Sequence, residues 1–509
     1  MARSYFNSTH RKNYKFSLLL SVMFSATPLA AVTDLTPEKT LPLPTGDQWI
    51  EHAKEGLQPY WLMESAKGVP EGNFPTFRCD NGEVLDVNNV CPELNLSWIS
   101  PHFDRDYTRM KSRQIYAYGV IYHLTGNEEA LALAKSGVDF LLKNRIDNEN
   151  GGFISFVKDG QPGLEWQQRT SQDQAYALVG LAFYYYLTRD PVVEKALIKQ
   201  QAFIFEQYKN LKNNDLNWVL KDGDEQSAKQ RELVAQLDQI NGYLLLVTPL
   251  LPEKVQKKWR QDLYWLTDQM TKQYYSVDEK RYYGAIHHKA MMMQEAKHND
   301  FAHTTKAFWM TYLVGRYFDN RDWETLGEQG MRVTVKRASN TYDFLIAEAY
   351  FIEPLKTQWH GRKKVAGWKS RPYNPWTSSW EWAELDQSSM TLNMLDGSRI
   401  TQQSDTQHAF MNAWVDHQYG GVGLNSRSTK AFHWGNGYHQ FEHALVGYLS
   451  AKQHYKKPAQ LYFALPEGYK GVIEPYYYQG DMQTKQSLGK IEQIEGLTKQ
   501  RISFVHITP

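Results

Sequence analysis

From Gly46 onward, apolar residues recur at three-and-four spacing through most of the chain. That is the signature of helices with one face against a core. It runs through residues 47–61, 107–126, 128–145, 172–188, 191–208 and 255–275, and resumes at 304–318, 322–338, 406–418 and 438–455. Short glycine-bearing stretches lie between these segments, namely NENGGFISFV (148–157), EKRYYGAIHH (279–288) and QYGGVGLN (418–425). Each has the composition of a tight turn or hairpin. Paired helices without strands between them predict an all-α chain. No fixed-period repeat is legible, so a closed toroid of helix pairs is expected rather than a solenoid. The last stretch changes character. LPEGYKGVIEPYYYQGDM and RISFVHITP read as strands, so 456–509 is expected to form a small β appendage.

The first residues show a different pattern. Arg3, Arg11, Lys12 and Lys15 precede an apolar run from Phe16 to Ala26, followed by the small residues Ala26, Thr27, Ala30 and Ala31. This reads as a secretory signal over 1–31, and the run is short of the ~20 apolar residues a bilayer span needs. VTDLTPEKTLPLPT (32–45), with three prolines, reads as a linker to a helical domain over 46–455. The expected location is periplasmic or secreted, with no stable membrane insertion after processing. Cys79 and Cys91 are the only cysteines, in a polar, turn-rich segment. In an oxidising compartment they can close a short disulfide loop contributing about 3 kcal/mol; two free thiols are the alternative.

Charge narrows the partners. Lys+Arg is 57 and Asp+Glu 56, a net charge of +1. That balance excludes a polybasic nucleic-acid binder and argues against an acidic tail. Aromatic residues are abundant (16 Trp, 32 Tyr and 22 Phe), which suits core packing and sugar stacking equally.

Three histidine neighbourhoods could carry chemistry. His303 begins a helix, with His298 and Asp300 just ahead of it. His439 and His443 share one helical face. His287 and His288 fall in a loop. His439, Glu442 and His443 spell H-x-x-E-H, a zinc-peptidase pattern that needs a third ligand further on, with Glu467 and Glu474 as the residues available. The metal-free reading uses two imidazoles as proton-transfer groups on opposite faces of a sugar, as epimerisation at C2 requires.

From about Trp49 to His454 the chain resembles the N-acylglucosamine 2-epimerase family, which includes cellobiose 2-epimerases and mannose-type isomerases. The resemblance is carried by GNFPTFRCDNG, RMKSRQIYAYGVIYHLTGNEEALALAKSGVDFLL, the GGF at 151–153, QRTSQDQAYALVGLAFYYYLTRD, DFAHTTKAFW, WEWAE, NAWVDHQYGGVG and HWGNGYHQFEHA, in the family's order. It implies an (α/α)6 barrel with the active site in its mouth. It also implies that His303 and His439 are the two acid/base histidines and that Arg113 stabilises the open-chain carbonyl oxygen. Trp380, Glu384 and Trp434 match its aromatic and acidic sugar contacts. No cofactor or metal is implied, and a monomer or homodimer acting on a mono- or oligosaccharide is expected.

Three departures stand out. The family's Glu one turn after the first histidine is Lys306, and its Arg one turn after the second is Glu442. If the two positions face each other, they form an ion pair of reversed polarity near the substrate. Lys306 is then expected to lower the pKa of His303, and Glu442 to raise that of His439. Ala235–Leu246 lacks the family's central histidine and offers Gln236, Gln239 and Asn241 instead. The signal and the β-like tail are unusual for the family. The leading expectation is an exported sugar epimerase or aldose–ketose isomerase. The alternatives are a glycan hydrolase or lyase using carboxylates such as Asp300, Glu384 and Glu442, and a sugar-binding protein without catalysis.

Overall fold

Two kinds of helix alternate along the chain, and their burial patterns fix the architecture. The computed structural model describes residues 41–163, 169–220, 228–287, 289–292, 298–340, 358–359, 365–366, 369–370, 378–397, 401–424, 430 and 437–509. Among the described residues there are twelve major helical runs. The outer ones are α1 (Gly46–Glu51), α3 (Glu128–Asn144), α5 (Pro191–Gln207), α7 (Glu253–Tyr274), α9 (Arg321–Ala338) and α11 (Thr401–Ala409). The inner ones are α2 (Thr108–Thr125), α4 (Ser171–Thr188), α6 (Leu233–Gln239), α8 (Phe301–Phe318), α10 (Ser379–Asp396) and α12 (Tyr438–His454). α3 buries only the stripe Ala130, Leu131, Leu133, Ala134, Gly137, Val138 and Leu141, whereas α4 is buried on every side. Inner helices pack in ring order α2–α4–α6–α8–α10–α12, and α12 meets α2 to close the barrel. This is the expected (α/α)6 barrel.

Local sequence sets the ends of these helices. Thr45 and Gln48 form a capping box at α1, and Ser378 and Glu381 form one at α10. Asn127, Thr170, Asp190 and Asp300 cap α3, α4, α5 and α8 with their side chains. Gly126 and Gly397 end α2 and α10 in the left-handed conformation. Gly180 lets α4 approach α2, since a Cβ there would lie 2.2 Å from the Ser112 carbonyl oxygen. α1, α6 and α11 each run into a π-helical turn, at His52–Leu57, Ile240–Leu244 and Phe410–Trp414.

The C-terminal stretch forms the expected sheet, of β1 (Ala459–Pro466), β2 (Gln479–Lys490) and β3 (Leu497–Thr508), antiparallel in the order β1-β3-β2. It is more than an appendage. β1 lies across α2 and α4, where Tyr122 Oη donates to the Phe463 carbonyl at 2.9 Å. The β1–β2 connection turns into the barrel and seats Tyr476 and Tyr478 in its core. Cys79 and Cys91 are joined by a disulfide. No helix among the described residues is long and apolar enough to cross a membrane.

Candidate active site

Polar side chains collect at the N-terminal ends of the inner helices, opposite the end that the C-terminal sheet covers. Asp300 caps α8 by accepting the His303 backbone N–H at 2.7 Å, and its second oxygen lies 2.7 Å from His303 Nδ1. One carboxylate therefore starts the helix and orients the ring. His439, at the start of α12, has Nδ1 2.9 Å from Glu384 Oε1. Donation from Nδ1–H to its carboxylate leaves Nε2 of each ring facing the site, with a lone pair when the ring is neutral and a proton when it is charged. The Trp380 ring packs against both, with centroid distances of 5.0 Å to His303 and 5.8 Å to His439. Both histidine side chains keep some contact with solvent, at 18% and 14% exposure.

Arg113 is buried, with its guanidinium carbon 3.9 Å from the Tyr176 ring centroid and 5.3 Å from that of Tyr438. Its Nε has no hydrogen-bond partner. A buried donor unused by the fold is costly to keep and is available to an oxyanion.

Lys306 and Glu442 do face each other. Lys306 Nζ donates to Glu442 Oε2 at 2.8 Å and lies 3.1 Å from Glu384 Oε2, a close ion contact without hydrogen-bond alignment. Burial works against the Lys306 ammonium, but Glu384 and Glu442 outweigh it and raise its pKa. Burial raises the pKa of Glu384, with Lys306 opposing. Glu442 raises the pKa of His439 as expected, but it does not set the net shift. Burial, then the Arg113 and Lys306 cations, hold this imidazole well below its ordinary value, and Glu442 only opposes them.

The H-x-x-E-H reading also fails on geometry. His443 is fully buried, and its Nε2 lies 3.0 Å from Asp386 Oδ2, while His439 turns to Glu384. Oxygen and nitrogen atoms of Glu384, His439 and Glu442 do lie within 4.8 Å of one another, but the Lys306 ammonium, ion-paired with both carboxylates, holds the place of a cation.

Of the remaining candidates, Gln236 and Gln239 hold backbone groups of Leu216 and Ser171, and Asn241 donates to Tyr438 Oη at 3.0 Å. His298 lies 3.3 Å from Glu232 and against the His303 ring, and the His287 ring nitrogen accepts the Arg231 backbone N–H. Trp434 and His288 lie outside the described residues. Asp238 is a site residue that sequence reasoning passed over. It is buried in α6, receives Tyr176 Oη at 3.1 Å and Gln172 Nε2 at 2.8 Å, and feels the charges of His303, Arg113 and Arg109. Burial raises its pKa. Its signal was a lone acid in the otherwise uncharged run LVAQLDQINGYLLL.

The family model for N-acylglucosamine 2-epimerase (GlcNAc 2-epimerase) matches residues 100–279. No curated protein matches the chain by sequence. Among solved structures, the cellobiose 2-epimerase from Bacillus thermoamylovorans is 13% identical with a TM-score of 0.60, covering 79% of this chain and 98% of its own. D-mannose isomerase is 13% identical with a TM-score of 0.58, covering 80% and 97%. A family 76 glycoside hydrolase from a bovine Bacteroides thetaiotaomicron strain is 10% identical with a TM-score of 0.55, covering 79% and 78%. The chain thus has the fold shared by cellobiose 2-epimerase and D-mannose isomerase, and over residues 100–279 it matches the N-acylglucosamine 2-epimerase family that its sequence resembles.

Proposed function

We propose that this protein is an exported sugar 2-epimerase or aldose–ketose isomerase that works by proton transfer between two histidines. The observation that carries this reading is the pair of imidazoles, each held through Nδ1 by its own carboxylate and both packed against Trp380. Trp380 offers a stacking face for the sugar and excludes water. His439, kept neutral by burial and nearby cations, suits the base that removes the C2 proton of the open-chain sugar. Glu384, at 2.9 Å, stabilises the imidazolium that forms. Arg113 donates to the oxygen of the resulting cis-enediolate. His303 enters the step as the imidazolium paired with Asp300 and gives its Nε2 proton to C2 from the other face, producing the epimer, or to C1, producing the ketose; exchange with solvent then resets both rings. Asp238 occupies the helix in which the family carries its central histidine, and we assign it the proton transfer of ring opening.

A hydrolase reading is less well supported. Its two carboxylates must flank the scissile bond. Here Glu384 and Glu442 share Lys306, and Asp300 is committed to the α8 cap and His303. Proton NMR of aldoses and β-linked disaccharides in deuterated water tests the proposal. Loss of the H2 signal with appearance of the epimer or ketose is expected. New reducing ends without exchange at C2 would favour hydrolysis, and no change with any sugar would leave a binding protein.

Export carries its own expected result. Protein recovered from the periplasm should have the mass of the chain without residues 1–31 and no titratable thiol under denaturing, non-reducing conditions. A mass that retains those residues would refute processing.

A further inference from the structure

The C-terminal stretch reaches the candidate site through Tyr476. Its hydroxyl donates to Glu442 Oε1 at 2.7 Å, inside the barrel and one helical turn beyond His439. The other Glu442 oxygen accepts from Lys306, which contacts Glu384, which in turn holds His439 Nδ1. Five side chains from α8, α10, α12 and the β1–β2 connection form one unbroken line. Tyr476 is itself fixed. Its backbone N–H donates to Tyr186 Oη at 2.8 Å, its hydroxyl lies 3.0 Å from Tyr116 Oη, and its ring lies 4.0 Å from that of Tyr477.

We propose that Tyr476 is a positioning residue for His439, so that the C-terminal stretch is part of the catalytic unit. With the hydroxyl in place, Glu442 presents one oxygen to Tyr476 and the other to Lys306. Without it, the carboxylate can turn, and Lys306 is released to draw Glu384 away from the imidazole. Such a shift is strongly felt where water is scarce. The charged and titratable groups facing this line are Arg113 from α2, His303 from α8 and His443 from α12. Burial holds Tyr116, Tyr438, Tyr476 and Tyr477 well above the ordinary tyrosine pKa, so all four face it as neutral hydroxyls. The consequence for turnover rests on the two-histidine reading, whereas the coupling of Tyr476 to the imidazole does not.

The test uses the full chain labelled with ¹⁵N-histidine, with His439 assigned by its loss in His439→Asn. In the parent protein, His439 is expected to show one tautomer, with the proton on Nδ1. Tyr476→Phe should mix the tautomers and lower kcat by about tenfold or more, with KM within about twofold. Tyr478→Phe is the control, since that hydroxyl lies 3.1 Å from Thr391 Oγ1 and outside the line. It should leave both readouts unchanged. An unaltered His439 spectrum in Tyr476→Phe, or an equal change in Tyr478→Phe, overturns the inference. If no sugar shows exchange at C2 but Tyr476→Phe still shifts His439, the proposed reaction is wrong and the coupling stands.

Discussion

Exchange at C2 is expected to fall by about 10²–10⁴-fold in His303→Asn and in His439→Asn, with the thermal midpoint nearly unchanged. Asparagine can still donate a hydrogen bond to Asp300 or Glu384, so the fold keeps most of its contacts there. It cannot pass a proton. Both histidines serve one proton circuit, so the double variant should be little slower than either single one. Comparable turnover in either variant would refute the two-histidine mechanism.

The largest effect on stability is expected at Lys306. Lys306→Met leaves Glu384 and Glu442 buried without their shared cation, a loss of about 3–5 kcal/mol in denaturant unfolding. Activity should respond in a defined direction. Lys306 holds down the pKa values of both His439 and Glu384, so both rise when it is removed. The acid limb of the pH–rate profile should therefore move to higher pH. Lys306→Glu adds a third carboxylate to the cluster and should be worse. Combining it with Glu442→Arg restores opposite charges in the polarity the family uses, and should recover part of the loss. A double-mutant cycle measures this coupling, and strict additivity would show that the two charges act independently.

Much of this architecture could be read before the structure was known, and the gaps have physical causes. The outer helices α3, α5, α7 and α9 show a clear 3.6-residue period because one face meets solvent. α6 and α10 are buried on all sides and have no polar face to mark the turn; α4 is buried in the same way, but its long run of Ala, Leu, Phe and Tyr still reads as a helix, whereas α6 is only seven residues long. α6 also runs directly into a π-helical turn, which breaks its register. At the site, His303, His439, Lys306 and Glu442 were legible because each lies in a local motif. Tyr476 was not. Its partner Glu442 is 34 residues earlier, and the YYY run gives no sign that it turns inward rather than continuing a strand. The net direction of the His439 shift was out of reach of the sequence for a related reason. A neighbouring carboxylate is visible in sequence, but burial and the approach of Arg113 from another helix are not.

The double duty of Asp300 has a consequence for heat. One oxygen holds the first turn of α8 and the other holds the His303 ring. Helix ends open locally at free energies well below that of global unfolding. Each time the first turn frays, the imidazole loses its tautomer along with its orientation, so the frayed state and the inactive state are one. Activity should then decline on warming before the barrel melts, and recover on cooling, with amide exchange at His303 tracking the loss.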